Sequence, residues 1–344
     1  RILLDAGWSE NDELDLPEAI RRQHLSRGEL DGQLVGISAG LTETGSTEMF
    51  IALTKQLLRC GASLAYGGAF TPEGTLKQVL IADREAPQEL GNPANRMPRV
   101  RNYLGYPASQ REKDRVAPNE KNSVEFIPLS TISVSELEEL CAPRGEWFEA
   151  MSEKRSDAYD PRRHVAWALS LFRLRVRMIQ DVSALVVLGG KDDGQSWGRM
   201  AGIAEEVMIA LALRKPIYVL GGAGGAAQAV GKILGLDQVT VGIERCLKPA
   251  AYDALAHALA PYTNSFDIPG EPESPKDLTE LRRFLFHRGV TTASWPWNGL
   301  NLAENRELFA CSISEGNKSV DRAVGLIVQG LSRIEWKPMA QKPK

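Results

Sequence analysis

The sequence predicts a doubly wound α/β fold, in which helices cover both faces of a parallel sheet and a helical extension follows at the C-terminal end. Three observations support this prediction. Short apolar runs typical of buried strands recur along the chain, helical patterns follow most of them, and glycine stands where these strands turn into helices. In a doubly wound sheet such turns lie at one edge, where ligands bind.

Five runs are predicted to be strands, because each is short, mainly apolar and bounded by turn residues. They span residues 34–38, 64–66, 124–129, 184–188 and 216–220. Other segments carry apolar residues at helical spacing, and Gly61 is placed to end the first helix, as a glycine beyond a helix C-terminus commonly does. The predicted helices span 46–59, 72–82, 161–179, 201–213, a segment ending at 234, 249–260, 300–311 and 319–332.

Three segments lie outside this regular pattern. Residues 1–32 mix acidic residues and arginines around a few leucines, and we expect a helical leader or a linker from an upstream domain. Residues 84–160 are rich in proline and charge around one strand-like run, which predicts an insertion or a lid. The end of the sequence, 336–344, is predicted to be disordered. The main domain is therefore expected to span 33–335.

The composition excludes several classes of protein. The 344 residues are 43% hydrophobic and 25% charged, as in ordinary globular proteins. The formal net charge of −3 provides no field that would attract nucleic acid or anionic lipid. No apolar run reaches the roughly 20 residues that span a bilayer. The four cysteines lie far apart, so we expect no metal site, no disulfide framework and a cytoplasmic location.

The glycine turns are the candidate ligand site. Glycine lets the backbone approach a phosphate, and the amino end of the following helix offers unpaired N–H groups. The candidate binding residues at these turns are Gly40, Leu41, Thr42, Gly67, Gly68, Ala69, Gly189, Gly190, Lys191, Gly221, Gly222 and Ala223. Residues 222–227 also match a GxGxxA spacing. We do not favour an NAD-dependent dehydrogenase, because the match follows a late strand and lacks a convincing acidic ribose ligand.

Arginines near these turns are candidate phosphate ligands. Arg173, Arg175 and Arg177 alternate along one predicted helix, so they cannot share one helical face and at most two of them reach a site. We expect Arg173 to bind the ligand and Arg177 to face solvent. Arg199 is the stronger candidate, because it precedes Gly202 at the start of the next helix.

Two carboxylates and one aromatic residue complete the candidate set. Glu205 and Glu206 fall in the first turn of a predicted helix, where acidic residues favour the helix dipole. Alternatively, one of them accepts hydrogen bonds from the ribose hydroxyls of a nucleotide, and it would repel a phosphate placed beside it. Trp197 lies in a polar, glycine-flanked loop and is a candidate for stacking on a base.

Four short motifs occur in a defined order along the chain. They are Tyr66-Gly67-Gly68 after a strand, Leu171-Phe172-Arg173-Leu174-Arg175 before a buried strand, Leu188-Gly189-Gly190 at its end, and Gly202-Ile203-Ala204-Glu205-Glu206 at a helix start. In this order they resemble the SLOG superfamily, which groups LOG proteins, DNA-processing DprA proteins and the nucleotide-sensing domains of bacterial immune effectors. The resemblance covers roughly residues 33–335 and implies a Rossmann-like fold that binds a nucleotide.

Two departures from the LOG enzymes make the sequence look closer to the sensor branch of that superfamily. Those enzymes carry a compact PGGxGTxxE loop, whereas residues 191–201 are inserted here before Gly202. Ile203 also stands where the family has threonine. The sensor branch includes the C-terminal domain of Thoeris-type antiphage effectors and the N-terminal region of melastatin-type channels, and its members bind ADP-ribose-derived nucleotides.

The resemblance implies two main functions. We expect a cytoplasmic sensor that binds an NAD-derived, ADP-ribose-like or cyclic ADP-ribose-like second messenger, holds no prosthetic group, and controls an upstream effector domain or a homo-oligomer in antiphage defence. The alternative is a LOG-like nucleoside 5′-monophosphate phosphoribohydrolase, in which Glu206 stabilises an oxocarbenium-like centre and Arg173 orients the phosphate. Binding of single-stranded DNA, as in DprA, is disfavoured by the net charge.

Overall fold

A computed structural model describes residues 30–40, 44–67, 75–85, 99–105, 124–129, 161–191, 200–237, 268, 297–312 and 317–334. The strands are β1 (Leu34–Gly40), β2 (Ser63–Gly67), β3 (Val100–Gly105), β4 (Val124–Leu129), β5 (Ala184–Gly189) and β6 (Ile217–Leu220). The helices are α1 (Thr44–Arg59), α2 (Thr75–Glu85), α3 (Pro161–Asp181), α4 (Gly202–Ala212), α5 (Gly225–Ile233), α6 (Leu302–Ala310) and α7 (Asn317–Ser332). A single 3₁₀ turn, Gly221–Ala223, joins β6 to α5.

The six strands form one parallel sheet in the order β4-β3-β2-β1-β5-β6. The chain runs outward from β1 through β2 and β3 to β4, and then returns to the other side of β1 at β5. The order therefore reverses between β1 and β5, where Gly40 pairs with Gly189. Connections diverge at such a switch point and leave a crevice at the carboxyl ends of the strands. The predicted doubly wound parallel sheet is confirmed.

Side chains alternate along each strand between two cores, one on each face of the sheet. On one face, Leu185 and Val187 of β5 join a core that contains α3, α4 and α5. On the other face, Val186 and Leu188 join a core that contains α1, α2 and α7. Every residue of β5 is buried, as expected for a central strand that is covered on both sides.

Segment 84–160 contributes two strands to the sheet, although the sequence pattern predicts one. The predicted strand at 124–129 is confirmed as β4. No strand is predicted at β3, because Arg101 and Asn102 interrupt its apolar pattern, yet β3 pairs in parallel with both β2 and β4. Apart from residues 84–85, which end α2, the described parts of this segment therefore form strands of the sheet or adjoin them. The predicted insertion or lid concerns residues outside the described ranges.

Hydrogen bonds join the turn before α6 to β6. The Tyr218 hydroxyl donates to the carbonyl oxygen of Asn298 at 2.7 Å, and the side chain of Asn298 donates to the carbonyl oxygen of Ile217 at 2.8 Å. Asn301 and Glu304 form a capping box at the start of α6. Helix α7 packs against α1. The predicted C-terminal helical extension is thus part of the same core as the sheet.

Several predicted segments lie outside the described residues. They are residues 1–29 of the leader predicted at 1–32, the helix at 249–260 and the tail at 336–344. Of the helices within the described ranges, none combines the length and the apolar composition that crossing a membrane requires.

Candidate functional site

A cavity of about 280 Å³ opens at the carboxyl ends of β1, β2 and β5, where the strand order reverses. It is lined by Ile37, Ser38, Ala39, Gly40, Tyr66, Gly67, Arg175, Gly190, Lys191, Ala201, Gly202, Ile203, Glu206 and Ala226. Ligand pockets commonly measure roughly 300–1,000 Å³, so this volume suits a small ligand or one part of a larger ligand.

Glycines bring the ends of β1 and β5 together at the cavity. The backbone amide of Gly190 donates to the carbonyl oxygen of Gly40 at 2.9 Å, and a Cβ atom at Gly40 would overlap the backbone of Gly190. Gly190 has a φ of +94°, and a Cβ atom there would lie 2.5 Å from Cδ1 of Ile203. Residues with side chains fit neither position. The glycines therefore let the ends of β1 and β5 pack closely at this wall of the cavity.

A buried arginine lies across the amino end of α4. Nη1 of Arg175 donates to Oε2 of Glu205, and Nε of Arg175 lies 3.4 Å from Oε1 of Glu206. A Cβ atom at Gly202 would lie 2.7 Å from Nη2 of Arg175, so glycine is needed there for this approach. Arg175 is 8% exposed and Glu205 is fully buried. The guanidinium is thus held between two carboxylates instead of facing solvent.

Glu206 is the carboxyl group that faces the cavity. It is 7% exposed, and within the described part of the chain its Oε2 atom has no hydrogen-bond partner. Burial raises the pKa of Glu206, and the negative charge of Glu205 adds to the increase. The charge of Arg175 and the hydroxyl of Ser38 act in the opposite direction. A buried oxygen without a partner is able to bond to a ligand.

The amino end of α4 also opens to the cavity. Ala201 is its N-cap and provides no side-chain hydrogen bond, and residues 201–203 line the cavity. Amide groups in the first turn of a helix have no partner within the helix and favour an acceptor or an anion. Lys191 lies exposed at the rim. These groups provide positive potential at the cavity.

The glycine turn after β6 packs within the protein. A Cβ atom at Gly221 would overlap the ring of Phe309, and one at Gly222 would overlap the backbone of Cys311. The backbone amide of Ala226 donates to the carbonyl oxygen of Gly190 at 3.1 Å. These glycines therefore allow α6 and the loop after β5 to pack closely, which is a structural role.

The structure brings together part of the predicted set. Of the predicted binding residues, Gly40, Gly67, Gly190, Lys191, Gly202 and Glu206 line the cavity. Arg173, Gly189, Glu205, Gly221, Gly222 and Ala223 are described but do not line it. Leu41, Thr42, Gly68, Ala69, Trp197 and Arg199 lie outside the described residues.

The arginine at the cavity is Arg175, which the prediction passes over in favour of Arg173. Arg175 projects from a different face of α3 than Arg173 and Arg177, and it contacts Glu205 and Glu206 of α4. Arg177 is exposed, as expected, and pairs with Asp181 at 3.0 Å. The sequence does indicate that Arg175 faces inward. Phe172 lies three residues before it and Ile179 four residues after it, so the three share a helical face, and both Phe172 and Ile179 are buried.

Comparison with known proteins identifies one family. The family model described as SLOG cluster2 matches residues 37–308, which is more than half of the chain. No curated protein and no solved structure matches the chain.

Proposed function

This chain belongs to the SLOG superfamily, and from that premise we propose that it is a sensor domain for an NAD-derived or ADP-ribose-like nucleotide second messenger. Membership of the superfamily indicates a nucleotide-related function. In our proposal, the nucleotide binds in the cavity between β1 and β5 and controls an attached effector domain or a homo-oligomer. The setting that we propose is antiphage defence in the bacterial cytoplasm.

The Oε2 atom of Glu206, which has no partner among the described residues, is the observation that carries this proposal. A carboxylate accepts two hydrogen bonds well, and the adjacent hydroxyls of a ribose donate two from neighbouring atoms. The atom is buried and faces a cavity at the place where doubly wound sheets bind nucleotides. We therefore propose that Glu206 binds the ribose.

The charges in the cavity orient the nucleotide. Two carboxylates already pair with Arg175, so its guanidinium contributes little positive charge to a ligand. Lys191 and the amino end of α4 are left to attract a phosphate. We propose that the phosphate lies toward Lys191 and the ribose toward Glu206. The cavity holds one nucleotide-sized part, and the remainder of an ADP-ribose-like ligand would extend from its mouth.

Ile203 supports binding in preference to turnover. It lines the cavity where LOG enzymes, which this chain resembles, carry a threonine. An isoleucine provides apolar contact and no hydroxyl donor for a phosphate. Among the described residues that line the cavity, Glu206 is also the only carboxyl group, so the lining supplies no second acid for an acid–base pair.

A thermal-shift panel of ADP-ribose, cyclic ADP-ribose, NAD and AMP tests the proposal. A ligand at 100 times its Kd adds about 2.7 kcal/mol to the free energy of unfolding. That increase raises Tm by a few degrees for a domain of this size. Glu206→Gln should reduce the shift, whereas Glu125→Gln should not, because Glu125 is exposed near the amino end of β4. Absence of a shift with all four nucleotides would contradict the proposal.

An N-glycosidase is the second candidate, and the raised pKa of Glu206 favours it. A carboxyl group with a raised pKa in a cleft is a common feature of catalytic sites. In this mechanism Glu206 would give its proton to the adenine as the N-glycosidic bond of AMP breaks, and the resulting carboxylate would stabilise the oxocarbenium-like centre. Water would then add to that centre and return a proton to Glu206. Chromatography of AMP incubated with the protein distinguishes the two functions. Free adenine that disappears with Glu206→Gln supports the hydrolase, and bound but intact AMP supports the sensor.

A further inference from the structure

One cation and two carboxyl groups are buried together at the cavity. Arg175 of α3 is 8% exposed, Glu205 is fully buried and Glu206 is 7% exposed. If all three groups were ionised, the cluster would carry one unbalanced negative charge. Burial of an unbalanced charge is costly, and proteins commonly avoid it by taking up a proton.

The contacts distinguish the two carboxyl groups. Glu205 is fully buried and accepts a hydrogen bond from Nη1 of Arg175. Glu206 lies farther from the guanidinium, with 3.4 Å between its Oε1 atom and Nε, and its Oε2 atom has no partner among the described residues. The proton that balances the cluster therefore belongs on Glu206.

Few other groups act on this carboxyl. Of the described residues that line the cavity, those from β1 contribute the hydroxyl of Ser38 and no charge, β2 contributes the phenol of Tyr66, and α5 contributes only Ala226. Lys191, after β5, is exposed at the rim. The net effect of burial, Glu205, Arg175 and Ser38 is to raise the pKa of Glu206 above its ordinary value of 4.5.

We infer that Glu206 holds a proton in the ligand-free protein and releases this proton when hydroxyl groups of a ligand donate hydrogen bonds to Oε2. Protonation and ligand binding then compete for Oε2. The ionised Glu206 therefore prefers ligand groups that donate hydrogen bonds. The O–H bond of the carboxyl breaks, the proton goes to solvent, and the carboxylate accepts the ligand hydroxyls. A neutral diol fits this position and a phosphate does not. This inference rests on the proposed binding of a nucleotide at this site.

The opposite arrangement predicts a different pH dependence. A protonated Glu206 could instead donate to an acceptor on the ligand and keep its proton. Binding would then weaken as the pH rises and the proton is lost. In the arrangement that we infer, the affinity for the ligand rises with pH. Below the pKa that Glu206 has in the ligand-free protein, the affinity rises by up to about tenfold per pH unit.

Titration calorimetry with ADP-ribose measures the released proton directly. The experiment is run at one pH in two buffers that differ in ionisation enthalpy, and the difference in heat gives the number of protons exchanged. We expect release of up to one proton by the wild-type protein and by Glu125→Gln. Glu206→Gln should exchange none and bind with little pH dependence. Uptake of a proton, or binding without exchange, would overturn the inference while leaving the proposed function in place.

A second measurement needs no ligand. In protein labelled with ¹³C at its glutamate side-chain carboxyls, one resonance should titrate above the others and be missing from Glu206→Gln. If every glutamate titrates near its ordinary value, the inference is wrong whether or not ADP-ribose binds. If a resonance with a raised pKa is present but no nucleotide binds, the proposed function is wrong. The proposed coupling between proton release and ligand binding is then wrong as well.

Discussion

The carbonyl oxygen of Gly190 accepts a hydrogen bond from the backbone amide of Ala226 at 3.1 Å, so the loop after β5 occupies the amino end of α5. The amide of the same Gly190 donates to Gly40 at 2.9 Å. Gly190 is thereby hydrogen-bonded to both β1 and α5 at the wall of the cavity. Of the two helices that follow β5 and β6, α4 is the one whose amino end remains open to a ligand.

Arg175→Met should lower the free energy of unfolding by about 3–5 kcal/mol, the usual effect of breaking a buried pair. The variant keeps most of the side-chain volume but leaves Glu205 and Glu206 buried without their cation. Urea denaturation at neutral pH measures the change. Arg177→Met is the matched control on the same helix, and its exposed pair with Asp181 should contribute no more than about 1 kcal/mol. Equal effects of the two substitutions would contradict the structure.

Glu206→Gln should become increasingly stable relative to the wild-type protein as the pH rises. The pKa of Glu206 is raised in the folded state, so the unfolded state releases this proton at lower pH. The wild-type protein therefore loses stability as the pH rises through the folded-state pKa, and a glutamine, which does not titrate, avoids the loss. Urea denaturation from roughly pH 5 to 8 measures the difference. A difference that does not change with pH would show that Glu206 titrates normally.

Lys191→Ala should weaken the binding of AMP by about ten- to a hundredfold, because hydrogen bonds to charged groups contribute about 1.5–3 kcal/mol. Binding of adenosine, which lacks the phosphate, should change little. Lys191 is exposed, so the stability of the protein should stay within about 0.5 kcal/mol. Lys318→Ala, at an exposed position on α7, is the control for the lost charge. If adenosine and AMP lose equal affinity, the phosphate does not lie toward Lys191.

Gly221→Ala should destabilise the protein by about 1–3 kcal/mol, the usual effect of forcing an extra group into a packed core. The added methyl group would overlap the ring of Phe309, and Phe309→Leu in the same chain should relieve part of that overlap. A double-mutant cycle by urea denaturation measures the coupling between the two positions. Strictly additive effects would mean that α6 does not pack on this turn.

The sheet was largely predictable, because its central strands carry a local signal. The run from Ala184 to Leu188 is entirely apolar and ends at glycine, which a strand buried on both faces requires. β3 carries no such signal, because Arg101 pairs with Glu125 of the neighbouring strand at 2.8 Å and Asn102 is buried among neighbours from other elements. The sequence around β3 does not show which strands would flank it.

The part of the candidate site that is formed by glycines at strand ends was predictable from the sequence. The part that depends on contacts between residues far apart in the sequence was not. Gly40 and Gly190 meet because parallel strands that end together bring their turns to one edge. Gly221 looks the same in the sequence, but its close neighbour is Phe309, far along the chain, and no local pattern reveals that contact. The choice between Glu205 and Glu206 likewise depends on how α3 presents Arg175, which is a property of packing between helices.

The bonds between β6 and the C-terminal helices have a consequence for biosynthesis. Tyr218 and Asn298 are 80 positions apart, and α7 follows later still. A nascent chain therefore presents the outer face of β6 and one side of α1 to the cell until α6 and α7 have left the ribosome. Only then is the apolar surface covered, so the growing polypeptide is exposed to aggregation until these two helices emerge.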